Sequence, residues 1–92
     1  MIRIFLSQRF IKTLSNLPPE QRSKVEDVLN AVMSGFGEPH RHAGFGLRKL
    51  TREYYECRVD LHWRIVLQLC GDNLLAYDLM THEEVRSFLR GR

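Results

Sequence analysis

The pattern of apolar residues predicts five strands and three helices along the chain. The predicted strands are residues 2–6, 47–50, 54–59, 63–69 and 74–80. The predicted helices are residues 8–17, 19–34 and 83–90. Ser7 can cap the first helix, and Gly35 can end the second. The order β-α-α-β-β-β-β-α predicts one α+β domain over residues 1–92. An N-terminal helical hairpin covers one face of its antiparallel-rich sheet, and a short helix closes the chain.

The segment between the second helix and the second strand is rich in glycine. It reads GFGEPHRHAGFG over residues 35–46 and contains four glycines and one proline. This composition predicts a loop. Its length is typical of loops that are either functional or mobile.

The stretch YYECRVDLHWRIVLQL, residues 54–69, predicts a β-hairpin with its turn at residues 60–62. One face is apolar, and keeping it continuous pairs Cys57 with Ile65 and Val59 with Trp63. Arg58 then lies directly opposite Arg64 on the other face, which we expect to be exposed. Like charges in this position cost about 0.2–1 kcal/mol.

The hairpin formed with the last strand has two possible registers. With Leu75, Tyr77 and Leu79 facing inward, one register places Thr81 beside Trp63 and brings His82 near His62. A shift of two residues keeps the same faces but moves His82 beyond the end of the pairing.

The segment THEE, residues 81–84, matches a capping box in which Thr81 and Glu84 cap the last helix. His82 would then lie in the first helical turn, where the helix dipole favours a neutral imidazole that can accept a proton.

Composition narrows the class of protein. The chain has 92 residues, a net charge of +3 and two cysteines. This charge is compatible with a nucleic acid or an acidic protein as partner, but it is too small for a dedicated duplex binder. The N-terminus lacks the features of a signal peptide, and no apolar run approaches a membrane span. We therefore expect a cytoplasmic protein with two free, buried thiols, since the predicted register keeps Cys57 away from Cys70.

Two histidines and two arginines are candidates for RNA chemistry on the open sheet face. Metal-free cleavage of RNA needs a base, an acid and cations around the phosphate, and His62, His82, Arg58 and Arg64 meet these needs. An anion held between the arginines would turn their repulsion into binding. The alternatives are surface histidines without function and arginines that form salt bridges with Glu56 and Asp78.

Other side chains leave alternatives open. His40 and His42 have the spacing of a metal pair, but nothing nearby completes a ligand set, so we expect no metal. Trp63 is either a core residue or a base-stacking residue. Phe88 is expected to dock the last helix, close enough to the site to shape it.

The segments GLRKL, YYECRV, WRIVLQL and THEEVRSFL, in this order, resemble the RelE/ParE superfamily of toxins from type II toxin–antitoxin systems. The similarity covers essentially the whole chain and is greatest to the YafQ-like branch. It implies a microbial RNase fold and an enzyme that cleaves mRNA in the ribosomal A site without metal or cofactor. It also implies a cognate antitoxin as partner.

The resemblance implies a set of catalytic positions. His42 matches the loop histidine, with His40 as the alternative, and Arg58 stands where YafQ-like toxins have a strand histidine. His62 takes the place of an acid in an acid–aromatic pair, and Arg64 matches the arginine that holds the phosphate. The C-terminal histidine matches His82. Because two positions differ from the family pattern, the acid and base roles can be permuted.

Further residues are expected to contact RNA. This second set comprises Arg48, Lys49, Arg52, Trp63 and Phe88. The resulting hypothesis is an mRNA interferase that acts with the ribosome. The alternatives are a ParE-like toxin that inhibits DNA gyrase without cutting, and a toxin homologue that has lost activity.

Overall fold

The computed structural model describes residues 2–91 and confirms the α+β class and the predicted order of elements. The strands are β1 (Arg3–Leu6), β2 (Leu47–Lys49), β3 (Tyr54–Arg58), β4 (Trp63–Cys70) and β5 (Asn73–Thr81). The helices are α1 (Gln8–Ser15), α2 (Pro19–Gly35), α3 (Pro39–His42) and α4 (His82–Arg90), with a short 3₁₀ helix at Ala43–Phe45. One sheet holds the five strands in the order β1-β5-β4-β3-β2.

Strand pairing follows the predicted register at the end of the sheet where the candidate residues lie. Cys57 is opposite Ile65 and Arg58 is opposite Arg64 in the antiparallel β3–β4 pair. Trp63 is opposite Thr81 in the β4–β5 pair, so the first of the two possible registers is correct. The β1–β5 pair is parallel, and the other pairs are antiparallel.

A β-bulge in β5 changes which of its side chains face the helices, so part of the prediction for this strand is wrong. Val66 pairs with Asp78 and Leu67 with Ala76, so Tyr77 is an extra residue in the ladder. The extra residue reverses the alternation between the two halves of β5. As a result Leu74 and Ala76 are buried against the helices, in place of the predicted Leu75 and Tyr77. Leu79, beyond the bulge, faces the helices as expected.

Apolar side chains form a core on each face of the sheet. The larger core lies under α1 and α2 and includes Phe10, Val25 and Ile65. A second core, Tyr54, Val66, Met80 and Val85, lies on the opposite face under α4. The face that was expected to be exposed is therefore partly covered.

The glycine-rich segment is not the irregular loop that its composition predicts, because α3 and the 3₁₀ helix occupy most of it. Gly35 is needed at a close contact, since a Cβ there would lie 2.7 Å from Phe45 Cε1. Gly46, with φ of 70°, ends the 3₁₀ helix in the left-handed region that favours glycine. The segment is thus ordered against the main core.

The two cysteines differ in exposure. Both are free, and Cys57 is buried as predicted. Cys70 is exposed, so the prediction of two buried thiols is wrong for it. It is the last residue of β4 and pairs with Asn73 across a tight turn, where nothing covers it. No helix within residues 2–91 is long and apolar enough to span a membrane.

Candidate functional site

Three of the five predicted catalytic residues line one cavity at the open edge of the sheet. The cavity has a volume of about 210 Å³. Its lining consists of Gly46, Arg48, Glu56, Arg58, Arg64 and His82. β2, β3, β4 and the first turn of α4 each contribute to it, because the β3–β4 and β4–β5 registers bring their ends together. Three arginines and one histidine therefore line a space that is large enough for a phosphate group.

Arg64 is held in a fixed position by the backbone. Its Nη1 donates to the carbonyl oxygens of Asp60, at 2.7 Å, and Trp63, at 3.3 Å. The turn is itself braced, since Asp60 Oδ1 accepts from the backbone N–H groups of His62 and Trp63 at 2.8 Å each. The bond from Trp63 is the main cause of the lowered pKa of Asp60. Arg64 is thus pre-oriented and only 13% exposed.

Arg58 differs from Arg64 in its surroundings. Its side chain is exposed, and its backbone N–H donates to Gly46 O at 3.2 Å. No carboxylate within residues 2–91 lies in ion-pair range of its guanidinium. The alternative in which Glu56 and Asp78 neutralise both arginines is therefore correct only for Glu56 and Arg64. Arg58 remains available to an anionic ligand.

Glu56 is a cavity residue that the sequence reasoning did not assign to the site. Its side chain is 7% exposed and forms an ion pair with Arg48 through Oε2. Its Oε1 lies 3.9 Å from Arg64 Nε and accepts no hydrogen bond from any described residue. Its position opposite Arg48 and diagonal to Arg64 could have indicated from the sequence that it belongs to the site. A buried carboxylate beside cations is a frequent feature of functional sites.

His82 is positioned by the start of α4. Thr81 Oγ1 accepts from Glu84 N–H at 3.2 Å, and Glu84 Oε1 accepts from Thr81 N–H at 2.9 Å. This confirms the predicted capping box and shows that Glu84 is engaged in it. His82 is exposed and lines the cavity, so its imidazole can approach a bound ligand.

His42 and His62 do not line the cavity. His42 Nε2 accepts from Gly37 N–H at 3.1 Å, and its ring stacks on Phe36 with centroids 5.7 Å apart. His62 is exposed in the β3–β4 turn and contacts the edge of Trp63, with ring centroids 5.3 Å apart. The register brings His62 to the correct end of the sheet, but its position in the turn keeps it out of the cavity.

The predicted RNA-contacting residues are distributed around the domain. Arg48 lines the cavity. Lys49 lies on the other face, with Nζ 6.0 Å from the centre of the Tyr55 ring. Arg52 is exposed in the β2–β3 turn, at the far end of β3 from Arg58. Trp63 is half-buried against the main core.

Phe88 has a structural position. Its ring lies 4.9 Å from that of Tyr54 and 5.4 Å from that of Tyr77, centre to centre, within the second core. It docks α4 on the sheet, as predicted.

The remaining candidates for chemistry are a metal site and the buried thiol of Cys57, which lies outside the cavity lining. Among residues 2–91, His, Cys, Asp and Glu form no group of three that could hold a metal ion. Burial, and secondarily the charge of Glu56, raises the pKa of Cys57 to about 12. The thiol donates to Phe45 O at 3.0 Å. A buried thiol with so high a pKa is inert as a nucleophile.

The fold matches chains of solved toxin–antitoxin complexes. A chain of the RelB–RelE antitoxin–toxin complex from Methanococcus jannaschii matches with a TM-score of 0.70 at 15% identity, over 91% of this chain and 96% of that one. A chain of the DinJ–YafQ complex from E. coli gives 0.69 at 16% identity, with the same coverage. One from the archaeal RelE–RelB complex of Pyrococcus horikoshii gives 0.69 at 17%, over 87% and 93%. The domain therefore has the RelE-like toxin fold.

The family follows from the sequence itself. The model of the ParE-like toxin domain matches residues 22–85, which include most of α2 and every strand from β2 to β5. The chain belongs to this family of toxins. A search of curated protein sequences found no match.

Proposed function

We propose that this protein is the toxin of a type II toxin–antitoxin system and a metal-independent endoribonuclease that cleaves mRNA, with the ribosome as its site of action. The observation that carries the proposal is the meeting of Arg58, Arg64 and His82 in one cavity. Cations around the phosphate and a proton-transfer group beside them are among the groups that phosphodiester cleavage requires when no metal takes part.

The arginines hold the scissile phosphate. Arg64 is oriented by the β3–β4 turn, so little rearrangement accompanies binding. Arg58, which has no carboxylate partner among the described residues, closes on the phosphate from the neighbouring strand. Charge-assisted bonds to phosphate oxygens strengthen as negative charge builds up on them in the transition state.

Two proton transfers complete the reaction. The ribose 2′-oxygen attacks phosphorus while its proton passes to a base, and the bond from phosphorus to the 5′-oxygen breaks as that oxygen takes a proton from an acid. Glu56 is the one carboxylate among the lining residues and His82 the one imidazole, and each can give or take a proton. We assign the two proton transfers to this pair, with one residue as base and the other as acid. The products are a 2′,3′-cyclic phosphate and a 5′-hydroxyl end.

A cognate antitoxin is the expected protein partner, since the fold neighbours were solved as complexes with antitoxins. A surface for such a partner is present at the β1 edge of the sheet. Phe5 is 54% exposed, and Leu6 and Ile11 beside it are 41% and 50% exposed. Burial of these side chains would add apolar contact area to the complex. The toxin, its antitoxin and the mRNA would meet in the cytoplasm.

The family match supports a second candidate function, because the matching model is that of the ParE-like toxin domain and a ParE-like toxin would inhibit DNA gyrase without cutting RNA. A toxin that inhibits DNA gyrase would need no proton-transfer group, and the cavity histidine would be incidental. An inactive homologue would likewise keep the fold without the reaction.

One experiment distinguishes these candidates. The chain is induced without its antitoxin, new 5′ ends are mapped on translated mRNAs, and gyrase supercoiling is assayed in the same lysate. The nuclease gives cuts in phase with codons and normal supercoiling. The gyrase inhibitor gives intact mRNA and blocked supercoiling, and an inactive homologue gives neither effect.

Variants test the assignment of the site. His82→Ala and Glu56→Gln each relieve toxicity if the two residues transfer protons, with folding checked by circular dichroism. His62→Ala is the matched control, because His62 is an exposed histidine at the same end of the sheet but outside the cavity. Toxicity that persists in both site variants would contradict the assignment.

A further inference from the structure

A second, larger cavity adjoins the cationic cavity on the side of α2. It has a volume of about 430 Å³, within the range of small-ligand pockets. The lining comprises Asp27, Val28, Ala31, Ala43, Gly44, Phe45, Gly46 and Arg58. Neither the family match nor the proposed reaction assigns a role to it.

The two cavities share part of their walls. Arg58 and Gly46 line both, so the spaces meet at the edge of the sheet. Gly46 carries no side chain at this junction, and a Cβ there would lie 3.2 Å from Arg58 Cβ. A polynucleotide with a phosphate against Arg58 therefore has a neighbouring space for the nucleoside attached to that phosphate.

The chemistry of the larger cavity suits a nucleobase. Val28, Ala31 and Phe45 provide apolar walls for the faces of a flat ring. Asp27, exposed on α2, is the one carboxylate among the lining residues. A carboxylate accepts two hydrogen bonds side by side, and guanine is the base with two adjacent N–H donors, N1 and N2, on its Watson–Crick edge.

We infer that this cavity is a base-recognition subsite, in which Asp27 selects guanine next to the phosphate held by Arg58. The inference rests on the proposed nuclease function and specifies its substrate preference. Asp27 is a specificity-determining residue that takes no part in the chemical step. The ligand of this subsite is RNA, because the subsite is continuous with the cationic cavity.

Direct binding of nucleoside 3′,5′-bisphosphates tests the subsite without any cleavage. Because a bidentate contact to a base discriminates by about 1–3 kcal/mol, we expect the guanosine compound to bind about tenfold more tightly than the cytidine compound. Asp27→Ala removes this preference, so that the guanosine and cytidine compounds bind with equal affinity. Inosine, which lacks the N2 amino group, binds with intermediate affinity. The matched control is Glu26→Ala, since Glu26 is the next residue of α2 and lines a different cavity near β1.

The outcomes separate this inference from the proposed function. Equal binding of guanosine and cytidine compounds to the wild type, with phosphate-dependent affinity that Arg58→Gln abolishes, overturns the subsite but leaves the nuclease intact. If no bisphosphate binds and no RNA is cleaved, the proposed nuclease function is overturned, and the subsite inference that rests on it is overturned as well. Loss of antitoxin binding in Asp27→Ala, with no change in base preference, assigns the cavity to the protein partner and overturns the inference.

Discussion

Arg58 offers a test in which stability and activity change in opposite directions. Its charge lies opposite Arg64 in the β3–β4 pair. Arg58→Gln removes this charge and keeps most of the side-chain stem. A like-charged cross-strand pair costs about 0.2–1 kcal/mol, and the carboxylate of Glu56 beside Arg64 favours the lower half of that range. For a domain of this size the relief corresponds to a Tm higher by about 1–4 °C.

Cleavage should fall in the same variant. A hydrogen bond to a charged group contributes about 1.5–3 kcal/mol, so loss of the contact from Arg58 to phosphate lowers the rate about 10- to 100-fold. The assays are thermal unfolding at low and high salt and RNA cleavage by purified protein with programmed ribosomes. The rise in Tm should disappear at about 1 M salt, where the Debye length is about 3 Å.

The control for this test is Arg3→Gln. Arg3 is an exposed strand arginine in β1, at the opposite edge of the sheet. This variant should cleave RNA at the wild-type rate. A lower Tm in Arg58→Gln, or cleavage at the wild-type rate, would refute the view of Arg58 as an unpaired cation held for phosphate.

Three further predictions concern single residues. His82→Ala should lower cleavage about 10²- to 10⁴-fold, with an unchanged circular dichroism spectrum, because the α4 cap does not use His82. The pKa of Cys57 is raised from 9.0 to about 12 in the folded state. Its protonated thiol therefore contributes its full stabilisation below pH 9, and this contribution is lost as the pH rises toward 12. Urea unfolding should show a loss of about 1.4 kcal/mol per pH unit between pH 9 and 11 that Cys57→Ala lacks, and equal pH slopes would contradict it. Gly46→Ala should destabilise the fold by about 1–2 kcal/mol in the same assay, whereas Gly44→Ala, whose Cβ would meet no atom within 4 Å, should not.

The hairpin around the site was predictable because local signals agreed with one another. The alternating pattern of residues 54–69 allows one register that keeps the apolar face continuous, and a slip of one residue would turn every side chain over. The capping box of α4 is similarly local, since its two partners are three residues apart. The hairpin register places Arg58 opposite Arg64, and the cap places His82 in the first turn of α4. The β4–β5 register that brings His82 to the same end of the sheet was one of two that the sequence allowed.

The remaining features depend on contacts that no local pattern encodes. Residues 74–80 are apolar at nearly every position, so the alternation could not reveal the bulge at Tyr77. Glu56 is buried between Arg48, its partner on β2, and Val66, its partner on β4. The exclusion of His42 follows from a hydrogen bond within a segment whose glycines suggested an irregular loop. Tertiary packing decided each of these cases.

The chemical nature of the RNA ends tests the central claim most directly. Purified toxin is incubated with mRNA-programmed ribosomes, a 2′,3′-cyclic-phosphate-specific ligation captures the upstream fragments, and the downstream ends are tested for a 5′-hydroxyl. Wild-type protein should give both ends, and His82→Ala should give almost none. Intact mRNA with the wild type, or fragments that end in a 3′-hydroxyl and a 5′-phosphate, would contradict a cavity built from Arg58, Arg64 and His82 for this reaction.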